Sequence, residues 1–600
     1  MNDKRKIGSD SFARYRFIRE KRFEMPARLR HIIGLGIFLL FSVGTAFGRH
    51  PKIAPDLDGA DPNSTVDIIV QFQHTPTVAH HRKITDRGGS FKANLGLVKS
   101  GAYALPASAL EDLANDAEVV HISPDHKLRG LLNLTAAAVN ASAAWQSGWT
   151  GTGIGVAVLD SGIVAINDLQ SKNSTGSRIV YAESFVPNNA TNDNYGHGTM
   201  VAGVIGGNGA SSTGSAYSVT FIGMAPHANL INLRVLDSNG AGTDSYTIAA
   251  IQQAIALKSQ YNIRVINLSI GRPVYESYTF DPLCQAVEAA WKAGIVVVVA
   301  AGNDGRDDTD GIDGYGTIAA PGNDPYVITV GAMKTMGTPQ RSDDLIASYS
   351  SKGPTMVDHV VKPDIVAPGN HIVSTITNSV KMNLNKEYPA NRVNLSYYMT
   401  NGSGTSTNYF TLSGTSLATP VVSGAVADLL QAQPGLTPDQ VKARLMKNAY
   451  KVFPTVSTVV DPATGIAYTS YYDVFTVGAG YLDIAAALND TFIASGTALS
   501  PTVALNTTTG MASLVFDPSS IWANQSLWAS QSLWASQSLG AAQTIWGQTE
   551  VEADNTLWAS QSLWASQSLW AQQSLWASQS LWASNSATSA TATTTLIGGE

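Results

Sequence analysis

Apolar residues along this chain recur in two patterns. Mainly apolar runs at 154–159, 230–236, 264–270, 295–301 and 326–332 predict strands buried on both faces. Between them, Thr247–Ser259 and Cys284–Ala293 carry helical spacing. This alternation predicts an α/β fold, a doubly wound parallel sheet with helices on both faces. A further helix opens around Ser416. Its apolar pairs Leu417/Ala418, Val421/Val422, Ala425/Val426 and Leu429/Leu430 recur every four residues, and Pro420 is expected in its first turn. Nearer the start, strand character at Val66–Phe72 and Glu118–Ile122, with a short helix in Ser108–Ala117, predicts a small α+β domain. There His80, His81 and Arg82 read as a solvated charged face.

Several of these apolar stretches end in residues able to do chemistry. The run 154–159 leads into Asp160, with Gly162 free to turn the chain. His197 lies between Gly196 and Gly198 at the head of an apolar helix. The run 295–301 leads through Gly302 to Asn303, whose side-chain amide can donate to a developing oxyanion. Ser416 sits at a helix start, where free N–H groups and the dipole favour negative charge. A lone serine there is usually a cap. A nucleophilic serine needs a base, and the base an orienting carboxylate. The order Asp, His, Ser supplies all three, and Ala418 stands where an α/β-hydrolase elbow needs its second glycine.

These segments, Ile154–Gly162, Gly196–Ile205, Val296–Asn303 and Ser413–Pro420, resemble the subtilisin-like serine peptidases (subtilases) over roughly residues 150–490. The resemblance implies a peptidase with Asp160 as orienter, His197 as general base and acid, and Ser416 as nucleophile. Asn303 and the Ser416 N–H would form the oxyanion hole. It also implies a substrate cleft at Ser269, Ile270, Gly271 and Gly302, with Gly242 on the opposite edge, taking extended peptides by β-augmentation. Departures from the family are Ile166-Asn167-Asp168-Leu169 after Asp160, Met200 three residues after His197, and a long loop from Gly206 to Phe221. Many subtilases bind calcium in that loop region, but it shows no clean ligand set. Asp307, Asp308, Asp310 and Asp313 form an acidic loop that could bind calcium, although a solvated loop is the simpler reading. No other cofactor is implied.

The ends of the chain read differently. Residues 32–47 are apolar and of signal-peptide length, behind a head with ten Lys/Arg and four Asp/Glu in residues 1–31. Met25 would begin a more ordinary signal. The expected division is an export signal over 1–48, an inhibitory propeptide over 49–130, the peptidase domain over 131–490, and a linker with repeat tail over 491–600. From Trp522 to Trp582 a hexapeptide near Leu-Trp-Ala-Ser-Gln-Ser holds nine of the twelve tryptophans in one register. A row of indoles suits cell-surface or glycan contact or self-assembly. The alternative function is therefore a surface adhesion or assembly protein on the same scaffold. Cys284 is the sole cysteine, so no intrachain disulfide forms. The net charge of −7, with no basic patch after the signal, argues against nucleic acid. The expected partners are protein or peptide substrates and the chain's own propeptide.

Overall fold

The computed structural model describes residues 50–54, 57, 60–125, 131–171, 176–307, 313–377, 382–461, 464–506, 511–522 and 591–592. The expected signal, Asp308, Asp310 and the repeats from Trp528 onward lie outside them. Among the described residues no helix is long and apolar enough to cross a membrane. The chain divides into two compact units, residues 1–127 and 128–600.

The first unit is a four-stranded antiparallel sheet of β1 (Thr65–Phe72), β2 (Ser90–Leu95), β3 (Ser100–Pro106) and β4 (Val119–Pro124), in the order β2-β3-β1-β4. Helices α1 (Val78–Thr85) and α2 (Leu110–Ala114) complete it. Ile68, Val70, Phe72, Ile84, Leu113 and Ile122 form its own core. Alternation along β1 turns Ile68, Val70 and Phe72 to that core while Asp67 and Gln71 face outward. His80 departs from the expected solvated face: it is 8% exposed, and its Nδ1 takes the Thr77 N–H at 3.1 Å, closing the start of α1.

The second unit is built on an eight-stranded sheet. Its strands are β5 (Gly155–Asp160), β6 (Ile179–Ser184), β7 (Asn229–Arg234), β8 (Ile263–Leu268), β10 (Val296–Ala300), β11 (Ile328–Lys334), β12 (Leu345–Ile346) and β13 (Ile365–Pro368). The order is β12-β11-β10-β8-β5-β7-β6, with β13 also on β11, and every pairing is parallel except β11 with β12. The short β9 (Ile270–Gly271) follows β8. β7 and β8 flank β5, so the chain leaves its carboxyl end in both directions, the place where open α/β sheets hold ligands.

Helices α3 (His197–Gly206), α4 (Asp244–Tyr261), α5 (Pro282–Lys292) and α6 (Thr415–Ala432) pack with this sheet. Their starts follow from local chemistry. Thr243 caps α4 through the Tyr246 N–H, and Asp281 caps α5 through those of Leu283 and Cys284. Pro282 then takes the first helical position, where no N–H is needed. Pro420 behaves otherwise than expected. The cap of α6 is Gly414, so Pro420 lies past the first turn, inside the helix. The core also continues beyond residue 490: Ala494, Ala498, Val503, Leu514, Ile521 and Trp522 are buried in it. The first tryptophan of the repeat is thus a core residue.

Candidate active site

Three parts of the second unit meet at the carboxyl end of β5. Asp160 closes β5 and is 1% exposed. Its carboxylate accepts the Ser161 N–H at 2.8 Å and faces His197 Nδ1 at 2.8 and 3.0 Å. His197 is the first residue of α3, behind Gly196 at φ +115°. A side chain on Gly198 would lie 2.2 Å from the Gly162 carbonyl, so only glycine lets α3 start this close to β5. On the far side His197 Nε2 lies 3.0 Å from Ser416 Oγ. All three side chains are buried.

The nucleophile candidate is held from two directions. Pro420 brings no N–H to the carbonyl four residues before it, that of Ser416. Ser269 Oγ donates to that carbonyl instead, at 2.7 Å. Asn267 Nδ2 donates to the Ser269 hydroxyl at 2.9 Å, and Ser423 Oγ donates back to Asn267 Oδ1 at 2.8 Å. Cleft strand and helix are thereby pinned through one buried chain of bonds. From the other direction, Asn303 Oδ1 accepts the Thr415 N–H at 2.9 Å and the Thr415 hydroxyl at 3.1 Å. This fixes the amide's orientation and leaves Asn303 Nδ2 buried with no hydrogen bond among the described residues. The Ser416 N–H likewise has none among them. Two unsatisfied donors beside a hydroxyl make a ready anion site.

The expected cleft residues surround this centre. Ser269 touches Ser416 directly, and Ile270 and Gly271 continue the strand. That strand edge already pairs antiparallel with Thr591–Ala592 of the chain's own tail. Gly302 N–H donates to Thr415 Oγ1 at 3.2 Å. Gly242 bridges to Leu236, and the N–H groups of Val235 and Leu236 both reach the Asp160 carbonyl, at 2.8 and 3.2 Å. Sequence pattern missed Thr415, Asn267, Ser423 and the pair Ala319–Ala320. Ala320 exchanges main-chain bonds with Arg272, just after β9, and Ala319 N–H bonds the Ala301 carbonyl. Small side chains thus line the junction of β9 with Gly302.

Near α3, where the sequence shows no clean calcium ligand set, the structure holds an internal cation instead. The buried Arg178 guanidinium donates to the carbonyls of Asp168 (2.8 Å), Ala228 (3.2 Å), Gln170 (3.3 Å) and Gly206. The Asp168 carboxylate is taken by Tyr409 Oη at 2.6 Å and the Ser211 N–H at 2.7 Å. The carbonyl and carboxylate oxygens gathered here are thus already satisfied by donors of the protein itself. Burial pushes the Arg178 guanidinium down to about 10, still charged at neutral pH. Asp307 and Asp313 flank residues outside the description, and no cluster of three metal-binding side chains occurs among the described residues.

A carboxylate, an imidazole and a hydroxyl in line, beside two open donors, can activate the hydroxyl and hold an oxyanion, the two needs of a serine hydrolase. The Subtilase family model matches residues 151–475, more than half of the chain, and the chain belongs to that family. It is a serine-type endopeptidase with the α/β subtilisin fold. It is similar to the serine protease AprX of Bacillus subtilis (strain 168), with 36% identity over 60% of this chain and 76% of that one. It is 31% identical to subtilisin E of the same strain, over 64% of this chain and 84% of that one. Alkaline protease of Alkalihalobacillus alcalophilus is 32% identical over 52% of this chain and 63% of its own length.

Proposed function

We propose that the peptidase works through Asp160, His197 and Ser416, and that it is exported as a zymogen. Ser416 Oγ attacks the substrate carbonyl while His197 Nε2 takes its proton. Asp160 holds the imidazole in the tautomer that presents Nε2 as acceptor. The oxyanion is met by Asn303 Nδ2 and the Ser416 N–H, and His197 returns the proton to the leaving amine. Water then repeats the sequence on the acyl-enzyme. One oxyanion donor contributes about 3 kcal/mol, a magnitude established on a subtilisin asparagine. The observation that carries this reading is the unbroken relay from Asp160 through His197 to Ser416, ending beside two buried, unsatisfied donors.

In this reading substrates displace Thr591–Ala592 from β9 and lie extended between β9 and the Gly242 edge, and the small residues around Gly302 and Ala319 favour an apolar side chain before the cut. Residues 1–48 direct export, the unit over 49–130 restrains the enzyme until self-cleavage, and the indole repeat gives surface or glycan contact. The intact relay disfavours an adhesion protein with idle chemistry.

The test is fluorophosphonate labelling of protein produced from Met25, beside Ser416→Ala. A labelled band shortened by about 100 residues at its N-terminus (the length of signal plus propeptide), absent in the variant, is the expected result. A folded, full-length, unlabelled protein would overturn the reading.

A further inference from the structure

We propose that Asp193 is a positioning residue that sets the Asp160–His197 geometry from both sides. This inference rests on the catalytic reading above. Asp193 is 2% exposed and lies four residues before His197, in the loop between β6 and α3. Its carboxylate accepts five hydrogen bonds. Oδ1 takes the Tyr195 N–H (3.0 Å), the Gly196 N–H (2.7 Å) and the Ser161 hydroxyl (2.9 Å). Oδ2 takes the Thr199 N–H (2.9 Å) and the Thr199 hydroxyl (2.7 Å).

These partners divide by where they act. Those at Gly196 and Thr199 bracket His197 and fix the angle at which α3 leaves its loop. The one at Ser161 reaches the residue joined to Asp160. Ser161 Oγ in turn accepts the Gly198 N–H at 2.9 Å, while Ser161 N–H holds the Asp160 carboxylate at 2.8 Å. A single buried carboxylate therefore ties the base's helix to the orienter's turn. An ordinary N-cap satisfies one or two donors of its own helix and reaches no second element.

The loop carrying Asp193 is itself clamped. Arg234 donates to the carbonyls of Ala190 (2.7 Å) and Asn192 (2.8 Å), and Asn232 to that of Thr191 (2.9 Å). Both clamps come from β7, the neighbour of β5, so the sheet that places Asp160 also places Asp193. Every partner of the Asp193 carboxylate is a donor, so an amide in its place would oppose one of them with a donor of its own.

The experiment uses the full chain and the variants Asp193→Asn and Ser161→Ala. kcat and KM are measured on a peptide amide, with kcat expressed per active site titrated to completion with fluorophosphonate. That normalisation removes loss due to unfolded molecules. A misplacement of the base by a fraction of an ångström predicts kcat lower by about 10²-fold in Asp193→Asn, with KM within about twofold. Ser161→Ala keeps the bonds from Asp193 to Tyr195, Gly196 and Thr199, and cuts its arm toward Asp160 together with the Ser161 Oγ bond to the Gly198 N–H. A kcat loss of about tenfold at unchanged KM is expected there, and the double variant should lose less than the product of the two single losses, since the bond between Ser161 and Asp193 is shared. Full kcat per titrated site in Asp193→Asn would overturn the proposal. Should that variant not fold, full kcat in Ser161→Ala would overturn it, as would multiplying losses in the double variant. Activity surviving in Ser416→Ala would instead bring down the catalytic reading beneath it.

Discussion

The helix starts at His197 and at Ser416 look alike in outline and are opposite in chemistry. Each opens behind a glycine with positive φ, +115° at Gly196 and +155° at Gly414, and neither has a side-chain cap from the capping residue. At α3 the orphan donors are consumed: Asp193 takes the N–H groups of Tyr195, Gly196 and Thr199, and Ser161 takes that of Gly198. The other end of α3 is sealed too, since Arg178 donates to the Gly206 carbonyl. At α6 the Thr415 N–H is bound by Asn303, while the Ser416 N–H and Asn303 Nδ2 stay open among the described residues. A base must not move, so its surroundings are saturated. An oxyanion site must bind something absent from the resting enzyme, so its surroundings are left short of acceptors.

Removing a donor from the open end gives the largest effect expected. Asn303→Ala should lower kcat by about 10²–10³-fold with little change in KM, the range found for such a donor in subtilisin. Steady-state kinetics on a peptide amide checks this, and a fall confined to KM would contradict it. Unsealing the closed end should act on stability instead. Arg178→Met strands several buried carbonyls and should cost about 3 kcal/mol in denaturant titrations, while kcat of the folded fraction changes little.

A smaller effect should come from the hinge between the two donors. Thr415→Val removes the hydroxyl that fixes the Asn303 carbonyl oxygen but keeps the Thr415 N–H bond. A kcat loss of about tenfold is expected, consistent with a slightly misaimed donor. Smallest is a control outside both helices. His359, whose carbonyl accepts the Val503 N–H at 2.9 Å, is pushed down to about 4 by burial, partly offset by Asp358. The unfolded histidine titrates near 6.5, so between there and 4 only the unfolded chain binds the proton. Stability therefore falls as pH drops through that window and levels off below it. His359→Asn should flatten that slope in denaturation curves at pH 4 to 7 without changing kcat.

The four residues at the centre were legible because each stands at an edge of an apolar run: Asp160 and Asn303 after strands, His197 and Ser416 at helix mouths. The parallel sheet was legible from the same runs, whose apolar residues outnumber the few polar ones set among them, such as Asn232 and Asn267. What pattern does not carry is which donor meets which acceptor across the fold. Thr415, Ser161 and Asp193 are ordinary polar residues in sequence, and only the meeting of β5, α3 and α6 gives them their partners. Pro420 departs from the first-turn expectation because the apolar pairs begin only at Leu417, whereas Gly414 caps the helix. Its actual place matters more, since the N–H it lacks leaves the Ser416 carbonyl to Ser269. The core past residue 490 was hidden because short apolar segments there read as spacer, although they bury Ala498, Val503 and Ile521.

The burial of Trp522 has a mechanical consequence. The residue is 1% exposed, shares the core with Ile521 and opens the stretch of repeats. Tension applied to the chain directly after Trp522 is therefore delivered to the hydrophobic core. The peptidase is thus fastened to its tail by a peg set in its own interior. A pull on the chain just after it would load that indole and, behind it, the paired strands Thr502–Asn506 and Met511–Val515.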